Sequence, residues 1–147
     1  MTVQRFEDQL AGLLANMDGK ARRELAREIA KQMRQSQQRR IAAQLNPDGT
    51  AFEKRKPQIR ERKGKLRRTM FARLRTAKYL KTEAKPDAAV IGFVGEVERI
   101  ARVHQYGLRD RAQKGSPDVQ YPIRQLLGFT DVDIEAVSDA TIKHLAR

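Results

Sequence analysis

YLKTEAKPDAAVIGFVG, residues 79–95, is where the sequence changes period, and its reading decides the fold class. At Tyr79–Ala84 the period switches from 3.6 to 2, and Ala89–Gly95 is rich in β-branched residues, so each half reads as a strand. Lys85-Pro86-Asp87 between them reads as a turn. The pair, residues 78–84 and 89–95, is therefore expected to form the core hairpin of a small sheet. Val90 and Ile91 cannot both face inward on a one-sided strand, which leaves one of them available to a neighbouring subunit.

On the N-terminal side the period is helical. Val3, Phe6, Leu10, Leu13, Leu14 and Met17 predict an amphipathic helix over residues 2–17. Asp18-Gly19 breaks it, and Asp18 can cap the next helix, residues 20–45. Leu25, Ile29, Met33, Ile41 and Leu45 form the stripe of that helix, with Gln37 where an apolar residue would sit. So thin a stripe suits a small core or another subunit. Asn46-Pro47-Asp48-Gly49 is a strong turn signal, and Phe52 is an isolated aromatic that can anchor the loop after it. Residues 53–64, rich in Lys and Arg and containing Pro57 and Gly64, read as an extended or mobile loop. Leu66, Met70, Phe71 and Leu74 predict a short helix over 65–75.

On the C-terminal side, Val97, Ile100, Ala101 and His104 share one face of a helix from Glu96 to Tyr106, with Gly107 ending it. Residues 108–120 read as a loop, and residues 121–129 as a third strand or extended segment. Thr130 and Asp133 have the spacing of a capping box for a last helix, whose face is Ile134, Val137, Thr141 and Leu145. The fold class is α+β: a small antiparallel sheet with a β-hairpin, packed by helices and preceded by long N-terminal helices. One domain is expected over 1–147, made of a helical arm (1–45), a basic loop (46–64) and an α+β core (65–147).

The 147 residues carry Lys+Arg 31 against Asp+Glu 18, a formal charge of +13. Nearly all the excess lies in residues 54–81, which hold thirteen basic side chains and the single acid Glu61. Lys54, Arg55, Lys56, Arg60, Arg62, Lys63, Lys65, Arg67 and Arg68 are the candidate contacts to an anionic partner. Three readings stand open: a solvated face, contact with nucleic-acid phosphates, or contact with an acidic protein surface. Phe52, Phe71 and Tyr79 form no stacking platform, so contact with nucleic acid would be to the backbone. No apolar run approaches the ~20 residues that span a bilayer, and MTVQRFEDQL lacks the order of a signal peptide. A cytoplasmic folding compartment is expected.

Catalytic patterns are missing. With Cys 0 there are no thiol chemistry, disulfides or thiolate metal sites, and His104 and His144 stand too far apart in sequence for a protein-only zinc site to be expected. Gly64-Lys65 lacks the flanking residues of a phosphate-binding loop, and Gly92-Phe93-Val94-Gly95 reads as a strand end. His104 reads as a buried, hydrogen-bonded side chain, and His144 as exposed near the C-terminus. Glu96, Glu98, Asp131, Asp133 and Glu135 stand at helix starts, where they complement the dipole. No nucleophile, base and orienter assemble, so no enzyme activity, cofactor or metal is expected.

Three segments carry a resemblance. Arg40-Ile41-Ala42-Ala43-Gln44-Leu45-Asn46-Pro47-Asp48-Gly49-Thr50-Ala51-Phe52 with the following Lys56-Pro57, Ile100-Ala101-Arg102-Val103-His104-Gln105-Tyr106-Gly107, and Tyr121-Pro122-Ile123-Arg124-Gln125-Leu126-Leu127-Gly128-Phe129 resemble, in order and spacing, the phage virion morphogenesis (tail completion) family. Gln125 stands where that family frequently has a proline. The resemblance is greatest to tail completion proteins of temperate, contractile-tailed phages of Gram-negative bacteria.

What it implies is a structural virion protein at the head–tail junction, assembled in the host cytoplasm. It would form a ring, most often hexameric, among neck, tail-tube and head-connector proteins, with genome DNA in the channel and no membrane. It also implies structural roles for Pro47, Gly49, Phe52, His104, Gln105, Tyr106, Gly107, Pro122, Arg124, Leu127 and Gly128. A small basic nucleic-acid-binding module acting through residues 54–81 is the alternative.

Overall fold

The computed structural model describes residues 2–15, 17–55, 69–111 and 114–146. It is α+β, with four helices and two separate two-stranded sheets among the described residues. The chain divides into two compact units: residues 1–36, 81–92 and 129–147, and residues 37–80 and 93–128.

In the first unit, α1 (Val3–Leu14) opens with the Thr2 hydroxyl accepting from the Arg5 amide at 3.2 Å. Asp18 caps α2 (Gly19–Ala42) as its spacing predicts, its carboxylate accepting from the Ala21 amide at 2.8 Å. Leu25, Ala26, Ala30 and Met33 are the buried residues on this part of α2. α1 packs against α4 (Asp131–Leu145). The capping box of α4 is complete: Thr130 Oγ1 accepts from the Asp133 amide at 3.1 Å, and Asp133 Oδ2 from the Thr130 amide at 3.0 Å. Asp133 also accepts from the Ser36 hydroxyl, so it is buried yet satisfied. At the other end of α4, His144 pairs with Glu28 and its side chain is only 6% exposed. This corrects the expectation of an exposed His144, because Glu28 gives the imidazole a partner under cover. The two links, Glu28 to His144 and Ser36 to Asp133, make α2 and α4 antiparallel neighbours.

The hairpin forms where the period changes. β1 (Leu80–Lys85) and β2 (Ala88–Phe93) are joined by Pro86-Asp87. It stands as a two-stranded sheet of its own rather than the centre of a larger one. Val90 and Val94 are exposed and Ile91 is half-buried.

The core lies in the second unit: Ile41, Phe52, Met70, Phe71, Ala101 and Leu126, with Leu74 and Phe93 against them. α2 ends at Ala42, before Pro47 is reached, because Gln44 takes a left-handed φ of 60° and the Leu45 amide bonds back to Arg40 O at 3.2 Å. The short helix expected over 65–75 is not seen where it is described. Residues 69–75 are turns, and 65–68 lie outside the described residues. Two features override the helical spacing. Phe71 has a φ of 67°, and both backbone groups of Met70 are taken by the Gln44 side chain, at 2.8 and 2.9 Å. Phe71 then packs edge-on to Phe52 and to His104.

A 3-10 turn (Gly95–Val97) precedes α3 (Glu98–Tyr106). Val97, Ala101 and His104 are buried as their spacing predicts, but Val103 is buried beside them and Ile100, expected inside, is 46% exposed. Gly107 ends α3 with φ 64°. The expected loop at 108–120 holds a short antiparallel ribbon, β3 (Arg109–Arg111) and β4 (Asp118–Gln120), registered Arg109 to Gln120. Its strands are three residues each, too short for period to reveal. Residues 121–129 form no strand.

Candidate functional site

The three resembling segments converge in the second unit around residues 124–128. That stretch has no partner strand, yet its backbone is bonded almost atom by atom. The Arg124 amide donates to His104 O at 2.8 Å. The Gln125 amide donates to Asn46 Oδ1 at 2.9 Å. The Leu126 and Leu127 amides both donate to Gln105 Oε1 at 2.9 Å. The Gly128 amide donates to Gln37 Oε1 at 3.2 Å.

The carbonyls of residues 125–128 are held in the same way. Arg40 donates to Gln125 O at 2.8 Å and Leu126 O at 2.7 Å. Gln105 Nε2 donates to Leu127 O and Gln37 Nε2 to Gly128 O, each at 2.9 Å. Side-chain amides and one guanidinium thus stand in for the neighbouring strand that these groups would otherwise need. Arg40 is itself buried and also donates to Leu45 O at 2.9 Å and to Gln37 Oε1. Sequence reading treated Gln37 as a gap in the stripe of α2. A buried amide where the helix should turn an apolar side chain inward was the available signal.

Two close approaches lock the clasp. A Cβ on Gly128 would strike the ring of Pro47. A Cβ on Gly107 would lie 2.6 Å from Ile123 Cγ1, on a residue already at φ 64°. The turn that carries Pro47 is closed by the Gly49 amide on Asn46 O at 3.0 Å, with Gly49 at φ 89°. Hydrogen bonds from Thr50, side chain first, hold the Asp48 carboxyl below its usual range.

His104 is buried between the rings of Phe71 and Tyr121, at 4.8 and 5.1 Å. Its Nδ1 lies 3.2 Å from Arg124 Nη1. Burial, then the Arg124 and Arg55 charges, push its pKa down to about 4. Arg124 is buried too, and its Nε donates to Glu53 O at 2.7 Å. Burial draws its guanidinium below the usual arginine range, with Glu53 opposing. A neutral, enclosed imidazole already accepting from an arginine orients structure and offers no base to a substrate.

The sequence-predicted residues therefore separate into groups. Pro47, Phe52, His104, Gln105, Gly107, Arg124, Leu127 and Gly128 are brought together in the clasp and the core beneath it. Pro122 is half-buried beside it, Gly49 closes the turn, and Tyr106 is exposed. Of the basic candidates, Lys54 and Arg55 are exposed. Lys56, Arg60, Arg62, Lys63, Lys65, Arg67 and Arg68 lie outside the described residues. Further along the block, Arg73 and Lys78 gather on the Tyr79 ring, at 5.6 and 5.1 Å. The Tyr79 hydroxyl donates to Glu96 at 2.7 Å, and that bond, with Arg73 next, holds the Glu96 carboxyl below its usual range.

Comparison with known proteins places the chain in a family. The phage virion morphogenesis family matches residues 1–146. The chain belongs to that family. It is 42% identical over 146 residues to tail completion protein S of Escherichia phage P2, covering 98% of this chain and 97% of that protein. No solved structure gives a significant match. Of the residues that hold segment 124–128, Arg40, Asn46, His104 and Gln105 lie in the segments quoted for the resemblance, and Gln37 lies outside them.

Proposed function

We propose that this chain is a structural, non-catalytic virion protein that completes the phage tail and readies it to join the DNA-filled head. The observation that carries the reading is the near end-to-end similarity to a protein named for tail completion. The subunit acts as a ring of its own copies, hexameric by the family resemblance, beside tail-tube and head-connector proteins. The clasp supports this reading, because a ring subunit needs a rigid scaffold and no substrate pocket. The basic block of residues 54–81 supplies charge of the sign that a DNA channel or an acidic neighbour would meet. The protein resides in the virion after assembly in the host cytoplasm.

The test is genetic and biochemical. Cells producing the phage without this protein should accumulate filled or fillable heads and separate tails, and the purified protein added to their extract should restore infectious particles. Empty, unprocessed heads would sink the reading. The concentration of thirteen basic side chains in residues 54–81 favours one second reading, a monomeric module that holds nucleic acid by its phosphates. Light scattering at two ionic strengths separates them: a ring insensitive to DNA supports the first, a monomer the second.

A further inference from the structure

Helix α2 carries Lys20, Arg23, Arg27, Lys31 and Arg34 at successive spacings of three, four, four and three. At 3.6 residues per turn these side chains fall on one face, in a row about 21 Å long. Lys20, Arg23, Arg27 and Lys31 are exposed and Arg34 is half-buried. None of the five makes an ion pair among the described residues. Glu28, the nearby carboxylate on the next face, is committed to His144. Glu24 borders the row near its start, and the neutral Gln35 borders it near its end.

Like charges three and four residues apart work against a helix, so the row does not stabilise α2. That is left to Leu25, Ala26, Ala30 and Met33 on the buried side. The row also lacks what a protein partner would grip. It has no aromatic or aliphatic anchor for the desolvated centre of a protein interface. Without an aromatic it offers unpaired bases no ring platform to stack on. What remains is recognition by charge alone along a straight line, and duplex DNA presents one negative charge per ~1.7 Å of its axis.

We propose that this face of α2 is a contact surface for the phosphate backbone of double-stranded DNA, indifferent to base sequence. It is a different element from the basic block of residues 54–81, and it holds whether or not the chain forms a ring. The test uses the full chain and a labelled duplex of about 30 base pairs, with binding followed by fluorescence anisotropy across salt. Replacing all five with Gln should leave the far-UV circular dichroism unchanged and make the slope of log K against log salt shallower by about two to four. Arg27→Gln with Lys31→Gln, which disturbs the helix less, should remove about two. Both losses should be the same on a duplex of unrelated sequence. A folded five-Gln variant with the wild-type slope overturns the proposal. So does a wild-type chain without salt-dependent binding, or a loss confined to Lys54→Gln with Arg55→Gln. A five-Gln variant that binds DNA normally yet fails to assemble would give the row to an acidic protein surface, and the proposal would fall.

Discussion

His104 carries its proton on Nε2. Arginine has only donors to offer, so the Nδ1 that meets Arg124 must be the acceptor. The imidazole is thus held neutral, and its pKa of about 4 lies below the ordinary 6.5. The native state therefore binds fewer protons than the unfolded chain between those two values. Its contribution to stability is complete above about pH 6.5, declines as pH falls, and is lost below about 4. The whole effect is on the order of 3 kcal/mol. Urea midpoints measured from pH 7 to pH 4 should fall more steeply for the wild type than for His104→Asn, which can still accept from Arg124 but does not titrate. Parallel curves would show that the ring is not held neutral. That His104 is buried was readable from its place on the apolar side of α3. Its charged partner was not, because Arg124 lies twenty residues on in a stretch without period.

At the scale of elements, the periodic parts were legible and the side-chain-held parts were not. The caps at Asp18 and Thr130, the turn at 46–49, the Pro86-Asp87 reversal and the Gly107 stop follow from local chemistry that short spacings reveal. Segment 121–129 looked strand-like because its residues suit an extended chain, but no neighbouring strand exists for it among the described residues. Gln37, Arg40, Asn46 and Gln105 take that part, and residues so distant in sequence leave no periodic trace. Gln105 is the test of this account, since it alone serves three backbone groups of Leu126 and Leu127. Gln105→Ala strands all three, at about 1 to 3 kcal/mol for each buried group, discounted for partial exposure to a total of roughly 3 kcal/mol. Gln105→Glu keeps the acceptor for both amides and turns the bond to Leu127 O into a contact between two acceptors. Urea denaturation should rank the wild type above Gln105→Glu, and Gln105→Ala last. An alanine variant within about 0.5 kcal/mol of wild type would show that the segment does not depend on this amide.

For the whole molecule, the charge of +13 raises the question of where repulsion is relieved. Thirteen basic side chains against Glu61 in residues 54–81 cannot be buried unpaired, because an uncompensated buried charge costs several kcal/mol. The described end of the block shows one form of relief, where Arg73 and Lys78 share the Tyr79 ring and Arg73 also pairs with Glu96. Lys54 and Arg55, at the other end, are exposed. Replacing Arg60, Arg62, Lys63 and Lys65 with Ser removes four charges and no core residue of the described structure. The urea midpoint should therefore stay unchanged. Joining of heads to tails should weaken by on the order of tenfold or more, with each charged contact worth about 0.5 kcal/mol. Phage titre and an extract joining assay read that loss, and raising the salt should weaken joining by the wild type more than by the variant. An unchanged titre with unchanged stability would make the block a solvated face and leave the row on α2 as the remaining basic surface for DNA.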